Sequence, residues 1–468
     1  MLEPAYQADV VVVGAGVAGL SAAHRLTSAG VTTMVLEAAH GVGGRMATEK
    51  VDGFRLDRVG QLLSTAYPEL RLTPGLGGLV LRPFAPGVLL HGDGRHHRAG
   101  VQTGAGGARG ALHAVRALAS APRPPSASRP PRRPVAVPGR QVSAPRSRSG
   151  APLGTAVDQA RLGAALSRLA GTPAERLLAR PELPAGEALA ARGLPSRTID
   201  GFLRPLLAAL LCDPDLTTSS RCADLALRAF ASGRLCVPEG GAEALPELLA
   251  STLPPGSVRT GVRVTSVSTN SVTTAEHGEI RCRAVLVATD ARAAAELLPG
   301  LRVPEFHPVT VVHHTTDEPP GTGASLLLDA DLGGPVAHTA VVSRVDPTRA
   351  PAGRVLVSST VLGRPPGDVD TAVRMHLARL YGVSTARWET LAMYRTREAV
   401  PAMRPPHDLR RPARLLAGLY VCGDHRDTST VQGALHSGHR ASAAILADLG
   451  AGRPLHVADP VPTAPRAA

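Results

Sequence analysis

Aromatic residues and lysine are both scarce in this chain of 468 residues. Phe, Trp and Tyr together make up 2% of the sequence, and Lys50 is the only lysine. An aromatic cage, in which two rings enclose a cationic amine, is therefore hard to assemble. Because every other basic residue apart from histidine is arginine, the formal net charge of +13 comes almost entirely from arginine.

Long apolar runs and paired cysteines are also missing. Apolar residues make up 44% of the chain, but no uninterrupted run is long enough to cross a bilayer. The first residues, 1–9, carry acids and no basic stretch, which argues against a secretory signal peptide. The five cysteines are odd in number and none of their spacings is typical of a metal site. We therefore expect a reduced cytoplasmic protein without a metal site.

Acidic residues are absent from one segment, Arg109 to Arg148, which holds nine arginines. Residues 120–152, which overlap this segment and extend past its end, are low in complexity and rich in proline, serine and arginine. We therefore expect a disordered insert there. A second interpretation is contact with anionic lipid at a membrane surface. Because the segment contains no aromatic residue, specific binding to nucleic acid is not expected.

What the chain does contain, at its N-terminus, is a βαβ pattern. Ala8–Val13 is apolar without polar alternation, which is typical of a buried parallel strand. Val17–Ser28 is predicted to be a helix, and Thr32–Leu36 a second strand. The chain is long enough for two large domains. These features predict an α/β fold that begins with a parallel sheet.

The rest of the chain mixes helical and strand patterns. Further helices are predicted at residues 155–170, 198–211, 242–252, 368–381 and 431–449. Further strands are predicted at residues 258–267, 283–289, 309–316, 325–328, 336–343, 355–362 and 418–422. The four strands between residues 309 and 362 indicate a mixed or antiparallel sheet in a second, α+β domain.

The turn after the first strand reads Gly14-Ala15-Gly16-Val17-Ala18-Gly19, a G-x-G-x-x-G. Its glycines permit a tight turn, close approach of backbone to a pyrophosphate, and close packing of helix on sheet. The helix N-terminus then offers free N–H groups to phosphate. Glu37 ends the second strand, where its carboxylate can accept both ribose hydroxyls. The pattern predicts a dinucleotide site.

A second glycine cluster, Gly43-Gly44-Arg45, follows directly. Glycines again permit close approach of backbone, and the arginine is a candidate phosphate contact. An ordinary glycine-rich loop with a surface arginine is the alternative interpretation.

Three separated blocks carry a more specific resemblance. Residues 11–48, with Asp52–Asp57 and Tyr67–Glu69, resemble the N-terminal signature of the amine oxidase, protoporphyrinogen oxidase and phytoene desaturase flavoproteins. Residues 237–241, Val262 and the strand that ends at Thr289 match the middle of the pattern. Residues 419–438 resemble the closing FAD motif.

The resemblance implies non-covalent FAD on a Rossmann-like domain with a parallel sheet, interleaved with an α+β substrate domain. The FAD-binding domain would comprise residues 1–95, 221–300 and 410–450, and the substrate domain residues 96–220 and 301–409. Cofactor-binding residues expected from the motif and the resemblance are Gly14, Ala15, Gly16, Gly19, Glu37, Gly43, Gly44, Arg45, Val262, Gly423, Asp424, Val431 and Ala434.

The resemblance also implies roles along the cofactor. Val262 would bind adenine through its backbone, Gly423 and Asp424 would contact the ribityl and pyrophosphate groups, and Val431 would lie against the flavin ring. Ser429 and Gln432 are predicted to form a capping box at the last helix. The dipole of that helix would favour the negative charge that develops when flavin is reduced.

Several family features are missing. No second G-x-G-x-x-G follows a strand, so oxygen, a quinone or another small acceptor is expected to reoxidise the flavin. Lys50 does not match the lysine near flavin N5 of many amine oxidases, and Thr430 replaces an aromatic residue. His425, next to Asp424, is the best-placed candidate for the catalytic base, and His313 and His314 are further candidates.

These features predict an FAD-dependent oxidoreductase, similar to a desaturase or an oxidase, that transfers hydride from an apolar small molecule to flavin N5. One alternative is a flavin amine oxidase with an atypical site. The other is a non-catalytic FAD-binding scaffold or sensor.

Overall fold

The computed structural model describes residues 7–100, 153–409 and 411–450. The insert expected at residues 120–152 lies outside this range. Within it, none of the helices combines the length and apolar character that crossing a bilayer requires. All five cysteines are buried and free.

The described residues form two larger sheets and several small ones. The strands are β1 (Val10–Val13), β2 (Thr33–Glu37), β3 (Thr48–Val51), β4 (Phe54–Asp57), β5 (Leu63–Ser64), β6 (Leu81–Pro83), β7 (Val88–Gly92), β8 (Arg95–Ala99), β9 (Leu235–Pro238), β10 (Val258–Thr260), β11 (Val264–Val267), β12 (Ser271–Thr274), β13 (Gly278–Arg281), β14 (Ala284–Val287), β15 (Phe306–Thr316), β16 (Leu327–Asp329), β17 (Val336–Val341), β18 (Val355–Leu362), β19 (Glu389–Pro401), β20 (Arg414–Leu416) and β21 (Leu419–Val421).

Helices cover the sheets and connect them. They are α1 (Val17–Ser28), α2 (Glu69–Leu72), α3 (Ala156–Gly171), α4 (Ala174–Leu178), α5 (Ala185–Ala191), α6 (Ser196–Thr198), α7 (Arg204–Leu211), α8 (Ser220–Ser232), α9 (Ala244–Ser251), α10 (Ala291–Leu297), α11 (Val342–Val345), α12 (Val369–Tyr381) and α13 (Val431–Asp448). A π-helical turn, Ile199–Leu203, joins α6 to α7, and 3₁₀ turns lie at Pro347–Arg349 and Asp424–Arg426.

The first sheet has the strand order β10-β2-β1-β14-β21-β20, and its first five strands are parallel. The four valines of β1 are all buried, because helices or a small sheet cover both faces of this strand. The expected α/β fold with a Rossmann-like parallel sheet is confirmed.

The second sheet has the order β19-β15-β18-β17-β16-β7-β8 and is antiparallel except between β16 and β7. It contains the four strands predicted between residues 309 and 362. The hairpin β7–β8 also belongs to it, so sheet membership would move the first proposed domain boundary from residue 95 to before Val88. The division into domains stays a proposal.

Glycines bring α1, α13 and the first sheet unusually close together. A Cβ on Gly19 would collide with the carbonyl oxygen of Gly14, and one on Gly438 with the carbonyl oxygen of Ala18. Gly19 therefore has the packing role that its motif predicts. The same contact through Gly438 fixes the C-terminal helix against the N-terminal one.

Candidate functional site

The turn between β1 and α1 has the geometry of a phosphate-binding loop. Gly14 has φ +107°, and a Cβ there would lie 2.9 Å from the carbonyl oxygen of Ala288. At Gly16, by contrast, a Cβ would meet no described atom within 4 Å. Gly16 is the N-cap of α1 and no side chain caps this helix end. The first N–H groups of α1 therefore lack acceptors within the helix, as a phosphate-binding helix start requires.

Glu37 lies at the end of β2, next to the same turn. Its Oε2 accepts the N–H of Ala15 at 2.8 Å and its Oε1 accepts that of Ala39 at 2.9 Å. The N–H of Val262 donates to the carbonyl of Glu37 at 2.9 Å. Two residues expected to bind cofactor, 225 positions apart in the chain, are thus joined by a backbone hydrogen bond.

The Gly43-Gly44-Arg45 loop adjoins the turn as well. The N–H of Gly43 donates to the carbonyl of Ala15 at 2.9 Å, and the Cβ side of Gly44 is open. Arg45 donates to the carbonyl of Ala399 at 2.8 Å and to Asp424 Oδ1 at 2.6 Å. The predicted phosphate contact, Arg45, is therefore joined to Asp424 by an ion pair that links the N-terminal and C-terminal motifs.

Gly423, Asp424 and His425 follow strand β21. Gly423 has φ +141°, and its N–H donates to Ser437 Oγ at 3.1 Å. The imidazole of His425 packs against Gly423, where a Cβ would collide with it. His425 is 8% exposed, and neither ring nitrogen has a hydrogen-bond partner among the described residues. Burial lowers the pKa of His425 to about 4, so the ring is neutral at pH 7.

Helix α13 begins at Val431 beside this turn, but the predicted capping box is wrong. The N-cap is Thr430, whose hydroxyl accepts the N–H of Gly433 at 3.1 Å. Gln432 instead accepts the N–H of Glu69 at 3.0 Å, because α2 packs against this helix end. The N–H groups of Val431 and Gln432 have no acceptor within the helix. Ala434 lies in the same turn and is buried.

The arrangement fits FAD. Two loop glycines have open faces, two helix N-termini have N–H groups without acceptors in their own helices, and a buried imidazole has two nitrogens without partners among the described residues. Cys422, the cysteine nearest in sequence to the turn, is fully buried, and burial raises its thiol pKa to about 12. A thiol in this state is a poor nucleophile, so Cys422 is not suited to covalent attachment of flavin.

His313 and His314 lie on β15, and the structure does not bring them to these loops. His313 Nδ1 is 2.8 Å from Ser358 Oγ, and its Nε2 is 3.0 Å from the carbonyl oxygen of Asp57. His314 Nε2 is 3.3 Å from Asp370 Oδ1, and its ring packs on Trp388. Both are buried histidines of the sheet, with partners that account for their position.

An apolar cluster adjoins the loops on the side of the second sheet. Its buried members are Val59, Cys212, Val309, Val311, Ala399 and Val400. It meets the candidate site at two points: Arg45 donates to the carbonyl of Ala399, and Gln61, two residues after Val59, donates to the carbonyl of Ser429 at 3.4 Å.

A buried ionic cluster that no sequence pattern predicted lies behind the start of α13. Glu69 is 2% exposed. Its Oε2 lies 3.1 Å from Arg25 Nη2, and its Oε1 lies 3.1 Å from His439 Nδ1. Burial alone would raise the pKa of Glu69, but the hydrogen bond and charge of His439 and the charge of Arg25 lower it. The Tyr67-Pro68-Glu69 segment was the signal available in the sequence. It marks the start of α2 but does not show which side chains pair with Glu69.

We expect Glu69→Gln to change how stability depends on pH. Because the folded-state pKa of Glu69 is lowered, its charge stabilises the fold above the unfolded-state pKa of about 4.3. This stabilisation is lost as the pH falls through the lower folded-state pKa. The difference in free energy of unfolding between wild type and Glu69→Gln should therefore be largest at neutral pH and shrink below about pH 4.

Urea unfolding at a series of pH values measures this difference. Glu318→Gln, at an exposed carboxylate, is the control and should follow the wild type throughout. A difference for Glu69→Gln that stays constant from pH 7 to pH 3 would contradict the prediction.

The similarity of this chain to known proteins extends well beyond these loops. The family model described as flavin-containing amine oxidoreductase matches residues 17–446. Putrescine oxidase from Kocuria rosea is 46% identical over 98 residues, which are 20% of this chain and 20% of that protein. Hydroxysqualene dehydroxylase from Rhodopseudomonas palustris is 30% identical over 171 residues, 35% of this chain and 38% of that protein.

These matches span well under half of either curated relative. The solved structure of a putrescine oxidase bound to putrescine superposes with a TM-score of 0.63 at 18% identity, covering 95% of this chain and 100% of that one. At this level of identity the superposition shows that the fold is shared.

Proposed function

Because the chain belongs to the family of flavin-containing amine oxidoreductases, and is thus an FAD-dependent oxidoreductase, we propose that it oxidises an apolar small molecule. The observation that carries this proposal is the apolar cluster of Val59, Val309, Val311 and Ala399 beside the candidate cofactor loops.

Substrate binding would rest on shape and exclusion of water. The side chains of the cluster are buried and carry no formal charge, so they would not neutralise a cationic amine. An apolar substrate gains free energy from leaving water and needs no charged partner. When bound, FAD would supply the redox chemistry as the acceptor of a hydride from a carbon of the substrate.

The protein would hold the two ends of the cofactor separately. Glu37 and the backbone of Val262 would bind the adenosine end, and the free N–H groups of α1 would bind pyrophosphate. Gly423 and Asp424 would hold the ribityl chain, with Arg45 fixing the carboxylate of Asp424. The N–H groups of Val431 and Gln432 would favour negative charge on the flavin ring.

His425 is better suited to binding the cofactor than to acting as a catalytic base. A pKa of about 4 makes the neutral ring a weak base at pH 7. Its unpartnered nitrogens, beside Gly423 and Asp424, are suited to hydrogen bonds with a polar cofactor. We therefore propose that His425 contacts FAD.

Oxidation of an amine is the second candidate, since the match to putrescine oxidase has the highest identity of those reported above. Lys50, however, lies on β3 with its Nζ 3.6 Å from Glu243 and its side chain 64% exposed, so it does not serve the candidate site. Oxygen, a quinone or another small acceptor would reoxidise the flavin. Contact with an anionic membrane surface remains an expectation from an arginine segment outside the described residues.

Anaerobic stopped-flow measurement of flavin bleaching tests the proposal. One panel holds primary amines and polyamines, and the other holds polyene and porphyrinogen-type compounds. We expect rapid bleaching with a member of the apolar panel, and rates at least about tenfold lower with every amine, because amines lack the positioning that gives near-attack geometry.

A matched variant links the rate to the cluster. Val311→Thr keeps the size of the side chain and adds a hydroxyl, so it should slow bleaching by the apolar compound without loss of bound FAD. Rapid bleaching by a simple amine would favour the second candidate. Bleaching by neither panel would favour a scaffold or sensor.

A further inference from the structure

One group of metal-ligating side chains lies in the second sheet, apart from the candidate cofactor loops. His91 is the penultimate residue of β7 and pairs with Asp329, which ends the neighbouring strand β16, and Asp331 follows in the next loop. One ligand atom from each residue lies within 4.8 Å of the other two. No pattern in the sequence joins these residues, because Asp329 is 238 positions after His91.

His91 provides the observation that points to a ligand. The residue is 3% exposed, and its Nδ1 is buried without a hydrogen-bond partner among the described residues. This nitrogen faces the carboxylates, 3.7 Å from Asp331 Oδ2. An unsatisfied buried nitrogen is costly, and a cation between it and the carboxylates would satisfy it.

The two carboxylates are held in place by other groups. Asp329 accepts the N–H of Asp331 at 3.1 Å and that of Gly333 at 2.7 Å. Asp331 accepts the N–H of Asp93 at 3.1 Å through Oδ2. These hydrogen bonds leave further acceptor positions on both carboxylates, since each oxygen has two lone pairs.

His376 on α12 lies beside Asp329. The N–H of Val336 donates to His376 Nδ1 at 3.1 Å, so the neutral ring carries its proton on Nε2. That nitrogen lies 3.1 Å from Asp329 Oδ2, at ion-pair distance but without the geometry of a hydrogen bond. A histidine behind a ligating carboxylate is the kind of outer partner that metal sites use to fix their ligands.

The charge of the group suits a divalent cation. Asp329 and Asp331 together carry two negative charges, and Arg379 on α12 packs against Gly333 in the loop after them. Tetrahedral zinc with bonds of 2.0–2.2 Å separates its ligand atoms by roughly 3.3–3.6 Å. The distance of 3.7 Å between His91 Nδ1 and Asp331 Oδ2 is close to that value.

We propose that His91, Asp329 and Asp331 bind a zinc ion, with water as the fourth ligand. Three protein ligands with one nitrogen among them favour zinc over calcium or magnesium, which prefer oxygen ligands. The ion would fasten the β7–β8 hairpin to the loop after β16 at the edge of the second sheet.

Zinc titration of the FAD-loaded protein tests this inference. The protein is stripped with a chelator and dialysed against a low zinc concentration, and its metal content and melting temperature are measured. We expect about one zinc per chain and a higher melting temperature with zinc. Calcium at the same concentration should leave the melting temperature unchanged.

Two variants locate the ion and one serves as a control. Asp331→Asn removes a ligand from a partly exposed side chain, and His91→Ala removes the nitrogen. Each should weaken zinc binding at least about tenfold, the smaller loss seen when only an outer partner is removed. Asp93→Asn removes an equal charge from the adjacent turn, whose carboxylate is outside the group, and should bind zinc like the wild type.

Three results would overturn the inference. The first is a wild type that retains less than half an equivalent of zinc. The second is zinc binding that Asp331→Asn and His91→Ala leave unchanged, which would place the metal elsewhere. The third is equal weakening by Asp93→Asn, which would indicate nonspecific attraction by charge. Asp331→Asn keeps the test valid if His91→Ala fails to fold.

Discussion

Glu37→Ala is expected to lower the affinity for FAD by about 30- to 1000-fold. The carboxylate would accept both ribose hydroxyls, and loss of these charge-assisted bonds should cost about 2–4 kcal/mol. The variant also removes the acceptor that holds the N–H of Ala15 at 2.8 Å and that of Ala39 at 2.9 Å. Titration of the stripped protein with FAD, followed by flavin fluorescence, measures the change.

The control must distinguish the loss of a contact with the cofactor from a loss of order in the loop. Glu37→Gln keeps the shape of the side chain and one oxygen acceptor but loses the charge, so it should lie between wild type and Glu37→Ala. Circular dichroism of the stripped proteins should show the same fold for all three. Unchanged affinity in Glu37→Ala would remove this residue from the proposed site.

Asp57→Asn is expected to destabilise the fold by about 3–5 kcal/mol. Asp57 Oδ2 lies 2.9 Å from Nη2 of Arg349, whose side chain is 1% exposed. Asp57 Oδ1 accepts the hydroxyl of Thr48 at 2.7 Å and the N–H of Ala242 at 2.9 Å. The variant would leave the guanidinium of Arg349 buried without its anion, and that uncompensated charge is the source of the loss.

A double variant tests this cause. Asp57→Asn with Arg349→Met removes both charges and should recover much of the lost stability, because replacing a whole buried ion pair is far less costly than breaking it. Urea unfolding of the FAD-loaded proteins gives the free energies, and Glu318→Gln in an exposed pair should change stability by less than about 1 kcal/mol. A double variant less stable than Asp57→Asn would contradict this explanation.

The N-terminal half of the candidate site could be read from the sequence because its residues are neighbours in the chain. Strand, glycine turn and helix follow one another within 20 residues, and each element is set by local apolar pattern and by backbone conformations that glycine permits. Glu37 ends the next strand of the same unit, and a right-handed crossover places it beside the turn.

Local pattern failed where a side chain had two possible partners. Thr430, Ser429 and Gln432 are all acceptable at a helix start, so sequence alone favoured a capping box. Packing of α2 against α13 instead gives Gln432 the N–H of Glu69 as its partner. The partner of Gln432 was thus set by a contact between segments that are 363 positions apart.

The sequence by itself determined the parallel sheet, the glycine turn and the family resemblance, since these depend on consecutive residues. Only the tertiary structure decided that Arg45 pairs with Asp424, that Asp57 pairs with Arg349, and that His91 faces Asp329 and Asp331. Such groups are formed by strand order and helix packing, which bring distant residues to one place. Burial then makes their charges consequential, because a charge removed from water needs a partner that no local pattern specifies.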